Sequence, residues 1–377
     1  MSPSRDTIVV AGSLAQKPRH GGHAWVFLHY LLGFRRLGWD VLFVDQLPPG
    51  TDRASAATAL GRLMGGFGLD GAWALLDHTG GTAAGLPVDE VVARTRRSAF
   101  LLNVMGFLSA ERVLAAAPRR VFLDIDPGFP QMWRALELAD VFAGHDGFVT
   151  IGENIGQPGC HIPTCGLPWT TTPPPVVLEL WPVAPPAGGA VTSVATWRGA
   201  YAPVEYEGRS YGLRAHEMRK FAGLASASPL PLHVALDIHP ADRVDRELLE
   251  ANGWVLLAPG AIAGDPWAYR RFIQGSAAEL MVAKSMYVRA RSGWLSDRSL
   301  CYLASGRPVI AQDTGFSSRY PTGVGLLTFG DPDEALGALA DVAAEPAKHG
   351  QAARELAEAW FDSDVVLGRL LAALGVG

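Results

Sequence analysis

Hydrophobic positions along the chain gather into short unbroken runs, and between the runs they recur at helical spacing. That alternation predicts parallel strands buried on both faces and joined by helices. Thr7 to Ala11 is the first strand-like run, and a glycine-containing loop follows from Gly12 to Gly22. Val26, Leu28, Leu31, Leu32 and Leu37 then place a helix over Ala24 to Leu37. Gly38 stops it, because a residue without Cβ takes the left-handed cap conformation at no steric cost, and Val41 to Val44 is the next strand. Further strands are expected at Ala99–Val104, Arg120–Ile125 and Gly147–Ile151. The stretch from Pro49 to Pro87 reads only as mixed helix and loop.

Between Thr170 and Gly189 the composition changes abruptly to Pro173-Pro174-Pro175, Trp181-Pro182, Pro185-Pro186 and Gly188-Gly189. Repeated proline excludes helix and sheet interiors and favours an extended connection. The α/β rhythm then restarts, with strands at Val191–Thr196, Leu232–Asp237, Val255–Ala258, Glu279–Ala283 and Pro308–Ala311. Helices are expected at Leu213–Ser226, Asp242–Asn252, Pro266–Gln274 and Asp297–Ser305. The expected architecture is α/β, with two Rossmann-like domains facing a cleft and ligands at the carboxyl ends of the strands. Its parts are residues 1–172, a linker at 173–189, residues 190–350, and a C-terminal helix within 351–377 that packs back on the first domain.

The remaining composition narrows the class. Hydrophobic residues make up 49% of the 377 positions and charged residues 18%, enough for two cores and unlike disorder or a coiled coil. A net charge of −5 without a basic stripe argues against nucleic acid as a partner. No run is long enough to span a bilayer, and no leader pattern precedes Ile8, which together predict a cytoplasmic protein. Three cysteines give no disulfide framework, and Cys160-His161-Cys165 is short of ligands for a metal. Four of the 32 Lys and Arg residues are lysines, a bias typical of GC-rich, actinobacterial genomes.

The most informative passage runs from Ser292 to Ala311: a loop, a helix, a Gly306-Arg307-Pro308 turn and a buried strand. Ser296 is a good N-cap. The free amides of that helix start attract a diphosphate, to which Arg298 and Ser299 add contacts, while Asp297 caps or takes a sugar or ribose hydroxyl. The run resembles the donor-site segment of GT-B glycosyltransferases, of the kind seen in families 1 and 4. Gln312-Asp313-Thr314-Gly315-Phe316 and Gly323-Val324-Gly325-Leu326-Leu327 are similar to that family's continuation, which places Asp313 and Thr314 near the donor sugar and ends at an acidic helix start (Asp331, Asp333, Glu334). Many retaining members carry two glutamates where this chain has Gly293 and Cys301, so the resemblance implies neither ribose recognition nor stereochemistry.

Other candidates lie where strands end. Gly21 and Gly22 let a ligand approach the backbone, and His23 after them titrates near neutrality as a base must; a histidine in this loop is the base in some inverting members of the resembled family. His20 precedes the glycines and is the weaker choice. Asp124 and Asp126 share a strand face, the first as a partner orienting His23 and the second as an acceptor-side residue. Thr196 and Arg198 end the first strand of the second half, Lys284 ends another, and His239 is placed to meet base or ribose. Glu153 and Asn154 are expected to face the cleft.

The resemblance implies a transferase moving sugar from a nucleotide diphosphate sugar to a small-molecule acceptor, a secondary metabolite by preference, with neither metal nor redox cofactor. An epimerase, a cell-envelope transferase and a non-catalytic sugar-nucleotide binder share the fold. A Rossmann dehydrogenase is excluded, since Gly12 to Gly22 lacks the Gly-x-Gly-x-x-Gly fingerprint.

Overall fold

The computed structural model describes residues 5–185 and 188–376. The first four residues, Pro186 and Ala187 of the linker and the final glycine lie outside the described residues. Eight strands form the first sheet: β1 (Arg5–Gly12), β2 (Trp39–Gln46), β3 (Trp73–Leu76), β4 (Thr82–Gly85), β5 (Ser98–Val104), β6 (Arg120–Asp124), β7 (Gly147–Thr150) and β8 (Trp169–Thr171). Their order is β4-β3-β2-β1-β5-β6-β7-β8, parallel except where β4 runs against β3. The second sheet contains β9 (Val191–Thr196), β12 (Leu232–Asp237), β13 (Val255–Leu257), β14 (Ala278–Met281), β15 (Val309–Gln312) and β16 (Leu326–Phe329), with a hairpin of β10 (Val204–Tyr206) and β11 (Arg209–Tyr211) set apart. Its order is β13-β12-β9-β14-β15-β16 and its pairs are parallel.

The unbroken apolar runs have the cause expected of them. Along β1, Ile8 and Val10 enter one core and Val9 and Ala11 another, so alternate residues are buried on opposite faces. The helices that matter for the site are α1 (Gly21–Arg36), α2 (Arg53–Gly66), α3 (Arg214–Met218), α4 (Pro266–Gly275), α5 (Asp297–Ala304) and α6 (Ser363–Ala373). The helix expected over Leu213–Ser226 is broken: after α3 come a short 3-10 turn and a second piece from Leu224, with Gly223 at the joint. The uncertain stretch after Pro49 supplies α2, β3 and β4.

One apolar cluster spans both lobes, from Ile8, Trp25 and Leu28 through Trp181 to Tyr269, Cys301 and Leu303. The proline-rich connection is extended but not loose. Val176, Val177 and Trp181 are buried, Val176 exchanges backbone hydrogen bonds with Phe361 and Ser363, and the Val177 amide donates to His29 Nδ1 at 3.1 Å. Leu367 of α6 approaches Gly33 of α1 so closely that a Cβ there would sit 2.5 Å away.

Candidate functional site

The carboxyl ends of β9 and β12 meet the amino end of α1 across a cleft. Its inner part, about 470 Å³, is bordered by Gly21, Gly22 and His23 on one side and by Val194–Thr196, Asp237, Arg214 and Arg298 on the other. An outer part of about 930 Å³ continues past Trp197, Arg198 and His239 to Asp126 and Lys284. His20, Thr196 and Asp237 border both.

Two buried arginines make the floor. Arg214 opens α3 and is held by its own lobe's backbone, Nε donating to Val282 O at 2.9 Å and Nη1 to Thr196 O at 3.0 Å. Arg298, in the first turn of α5, pairs with the buried Glu279 and donates to Val194 O at 2.8 Å. Burial, reinforced by the charge of Arg298, lowers Arg214 to about 10, so it remains protonated at neutral pH. Arg298 has Glu279 as its ion-pair partner while Arg214 bonds only to backbone carbonyls, which leaves the floor positive, and fork-shaped donors of this kind recognise phosphates.

Farther out, a cluster crosses between the lobes. Lys284 Nζ lies 2.6 and 2.9 Å from the two carboxylate oxygens of Asp126, and the Tyr287 hydroxyl donates to the same group. The ammonium also sits 5.2 Å from the centres of the Phe129 and Tyr287 rings and 5.9 Å from that of Tyr201. Burial, helped by the nearby Asp126 charge, pushes Tyr201 to about 12. Arg198 forks onto Asp242, with Nε 2.8 Å from Oδ2, and His239 accepts the Ala241 amide at 3.1 Å.

Of the expected site residues, the fold brings Gly22, His23, Asp126, Thr196, Arg198, His239, Lys284 and Arg298 to the cleft. It does not bring the rest. Ser296 and Ser299 are buried, and farther along α5 Cys301 Sγ lies 3.6 Å from His29 Nε2 of α1. Of Ser296, Asp297, Arg298 and Ser299, only Arg298 borders the cleft. Burial raises the Asp297 carboxyl against the opposing pull of Arg298. Asp313 closes its own turn, accepting from Gly315 N at 2.8 Å and Ser317 Oγ at 2.7 Å. Thr314 is buried and donates to Trp294 O.

Asp124 does not orient His23. It accepts from Gln131 Nε2 at 2.7 Å, Thr150 Oγ1 at 2.8 Å and Asp126 N at 3.0 Å, and burial nevertheless holds it near 6. The two aspartates therefore face different partners, and no three His, Cys, Asp or Glu side chains gather as a metal site among the described residues. His23 instead meets Ser13 Oγ at 3.0 Å. Burial, then the charge of Lys17, depresses His23 to about 3, which makes its ring a poor proton acceptor at neutral pH.

Gly21 and Gly22 give their space to the opposite lobe: a Cβ on Gly21 would lie 2.3 Å from Asp265 O, and one on Gly22 2.9 Å from the Tyr269 ring. Glu153 and Asn154 join the lobes rather than face the cleft. Glu153 accepts the Tyr320 hydroxyl, and Asn154 bonds to Arg291 O, Gly315 O and Arg319 Nε. That contact accounts for Gly293, whose φ is +72° and whose absent Cβ would fall 2.7 Å from Asn154 Cγ.

Sequence reasoning missed Arg214, an arginine buried at a helix start that reads as an ordinary surface cation, and it undervalued His20, which sits where the parts of the cleft join.

No protein-family model matches the sequence, and no curated protein sequence does. Solved structures do. HepE of Anabaena in complex with UDP is 12% identical, with a TM-score of 0.60 over 98% of this chain and 100% of that one. Sucrose-phosphate synthase from Thermosynechococcus elongatus is 11% identical, with a TM-score of 0.56 over 98% and 99%. An alpha-glucosyltransferase in complex with UDP and a 13-mer DNA containing a HMU base is 10% identical, with a TM-score of 0.61 over 98% and 99%. At such identity the likeness is one of fold, and the fold is GT-B.

Proposed function

We propose that the protein transfers a glycosyl group from a nucleotide diphosphate sugar to a small-molecule acceptor, without a metal or redox cofactor. The observation that carries this reading is the pair of buried arginines, Arg214 and Arg298, on the cleft floor at the end of β9. A diphosphate there meets donors already fixed by the backbone, and its developing negative charge in the transition state is what such fixed donors stabilise. Neighbours of the same fold that hold UDP support the choice of donor. Lys284 and Arg198 line the outer part of the cleft, each paired with a carboxylate, and Asp126 is the carboxylate that faces the cleft on the acceptor side. With His23 depressed to about 3, Asp126 takes precedence as the group receiving the acceptor's proton. The net charge of −5 favours a small molecule, such as a secondary metabolite, over a nucleic acid.

The test is titration calorimetry with UDP, followed by UDP release from UDP-glucose with and without candidate acceptors. Arg214→Ala is expected to weaken UDP binding about 10-fold or more, the worth of a charged hydrogen bond. Equal affinity in the variant would remove the floor as the phosphate site. UDP release that needs no acceptor would point to hydrolysis, and sugar interconversion without release to an epimerase.

A further inference from the structure

Beside the cleft is a second, smaller cavity of about 120 Å³, built where α2 of the first lobe meets the start of α4 of the second. Leu14, Ala59, Leu60 and Leu63 supply one wall, and Pro266 and Trp267 the other. The Trp267 ring is fixed by stacking on Phe67, with centroids 5.4 Å apart and planes 15° from parallel. Gly66 makes the stack possible, since a Cβ there would sit 2.5 Å from the Trp267 ring. The cavity is therefore formed before any ligand arrives, and its walls are mostly carbon.

Its mouth has a different chemistry. Lys17 and His20 border this cavity and the outer cleft alike, so the two spaces join there. Arg62 stands on the same rim, and among the described residues none of these three side chains is in an ion pair. Burial lowers the pKa of Lys17, partly offset by the Asp126 charge, so its ammonium is short of solvent. Among the described residues the carboxylate at the rim is Asp265, which caps α4 by accepting the Ala268 amide at 2.7 Å.

We propose that this cavity is the acceptor subsite and takes a ring-sized apolar group carrying an anionic substituent, such as an aryl carboxylate. The proposal rests on the transferase reading and names the acceptor class for it. Size supports a single ring: an apolar cavity of roughly 150 Å³ holds benzene. Charge supports the anion, since Lys17 and Arg62, neither in an ion pair among the described residues, outnumber the Asp265 carboxylate at the opening. Position supports the acceptor role, because a group anchored here points its remaining atoms past Lys17 toward Asp126 and the arginine floor.

The probes are benzoate, phenylacetate and the neutral benzyl alcohol, titrated against the full chain by ligand-observed NMR, with UDP titrated separately. The carboxylates are expected to bind about five-fold more tightly than the alcohol. Ala59→Trp, which fills the cavity from the half-buried face of α2, should lose aryl binding about 10-fold while UDP affinity stays unchanged. Arg62→Gln, at an exposed position, should narrow the gap between carboxylate and alcohol without abolishing either. UDP binding without aryl carboxylate binding would overturn the subsite and leave the donor reading intact. Aryl binding that survives in Ala59→Trp, or a carboxylate no better than the alcohol, would also overturn it. Aryl binding lost in Ala59→Trp in a chain that fails to bind UDP would support the subsite and refute the donor reading.

Discussion

His29 shows how far one residue's chemistry is set by its surroundings. It sits in α1 at the junction of the lobes, wholly buried, and burial depresses it to about 3. Its Nδ1 accepts the Val177 amide, which requires the neutral ring. In the unfolded chain the same imidazole binds a proton below about 6.5. Its contribution to stability is therefore complete above that value and drains away as the pH falls toward 3. Asp45 and Asp124, both held near 6 by burial, run the other way, contributing at low pH and losing that contribution as the pH rises through 6. A comparison of variant with parent isolates the histidine. His29→Gln should flatten the fall in stability between pH 6 and pH 4 by about 1.4 kcal/mol per pH unit, read from urea midpoints at each pH. An unchanged slope would mean that His29 takes up no proton on unfolding. Nothing in the pattern around Trp25-Val26-Phe27-Leu28 marks His29 as different from the apolar residues beside it, and its burial could not have been read from the chain.

At the level of elements, periodicity located the strands well, because a parallel strand covered on both faces leaves a run of apolar residues whatever its neighbours are. The breaks were harder. Gly223 interrupts a helical pattern that continues on either side, and the decision there belongs to packing rather than propensity. The start of α5 was read correctly as a capped helix, with Ser296 Oγ accepting the Arg298 amide at 3.3 Å. What the pattern could not disclose was that this start is buried. The glycines at the start of α1 bear on the same point, since they admit the other lobe's backbone. Gly21→Ala should destabilise by about 1–3 kcal/mol through overpacking against Asp265 O. Gly337→Ala, with nothing within 4 Å and helix on both sides, should stabilise by about 0.5–1 kcal/mol. Denaturant unfolding of the two variants measures both, and equal shifts would refute the contrast.

Across the whole molecule, the lobes behave as one core. The shared apolar cluster, the Gly21 N to Ala263 O bond at 2.9 Å, the Trp25 Nε1 to Pro266 O bond at 2.9 Å and the Asp126–Lys284 pair all cross between them. Calorimetry should show a single transition whose van't Hoff and calorimetric enthalpies agree, and two resolved transitions would show lobes that melt independently. The sequence by itself determined most of the buried parallel strands, the two α/β halves and some of the strand-end residues that face the cleft, since local periodicity and turn chemistry act over a few neighbouring positions. Tertiary structure alone decided which charges are paired, which helix start is open and where a ring-sized space remains. Those depend on groups well separated along the chain, from 19 residues for Arg298 with Glu279 to 272 for Cys301 with His29. Burial then sets their charge and reactivity, and no spacing along the chain encodes it.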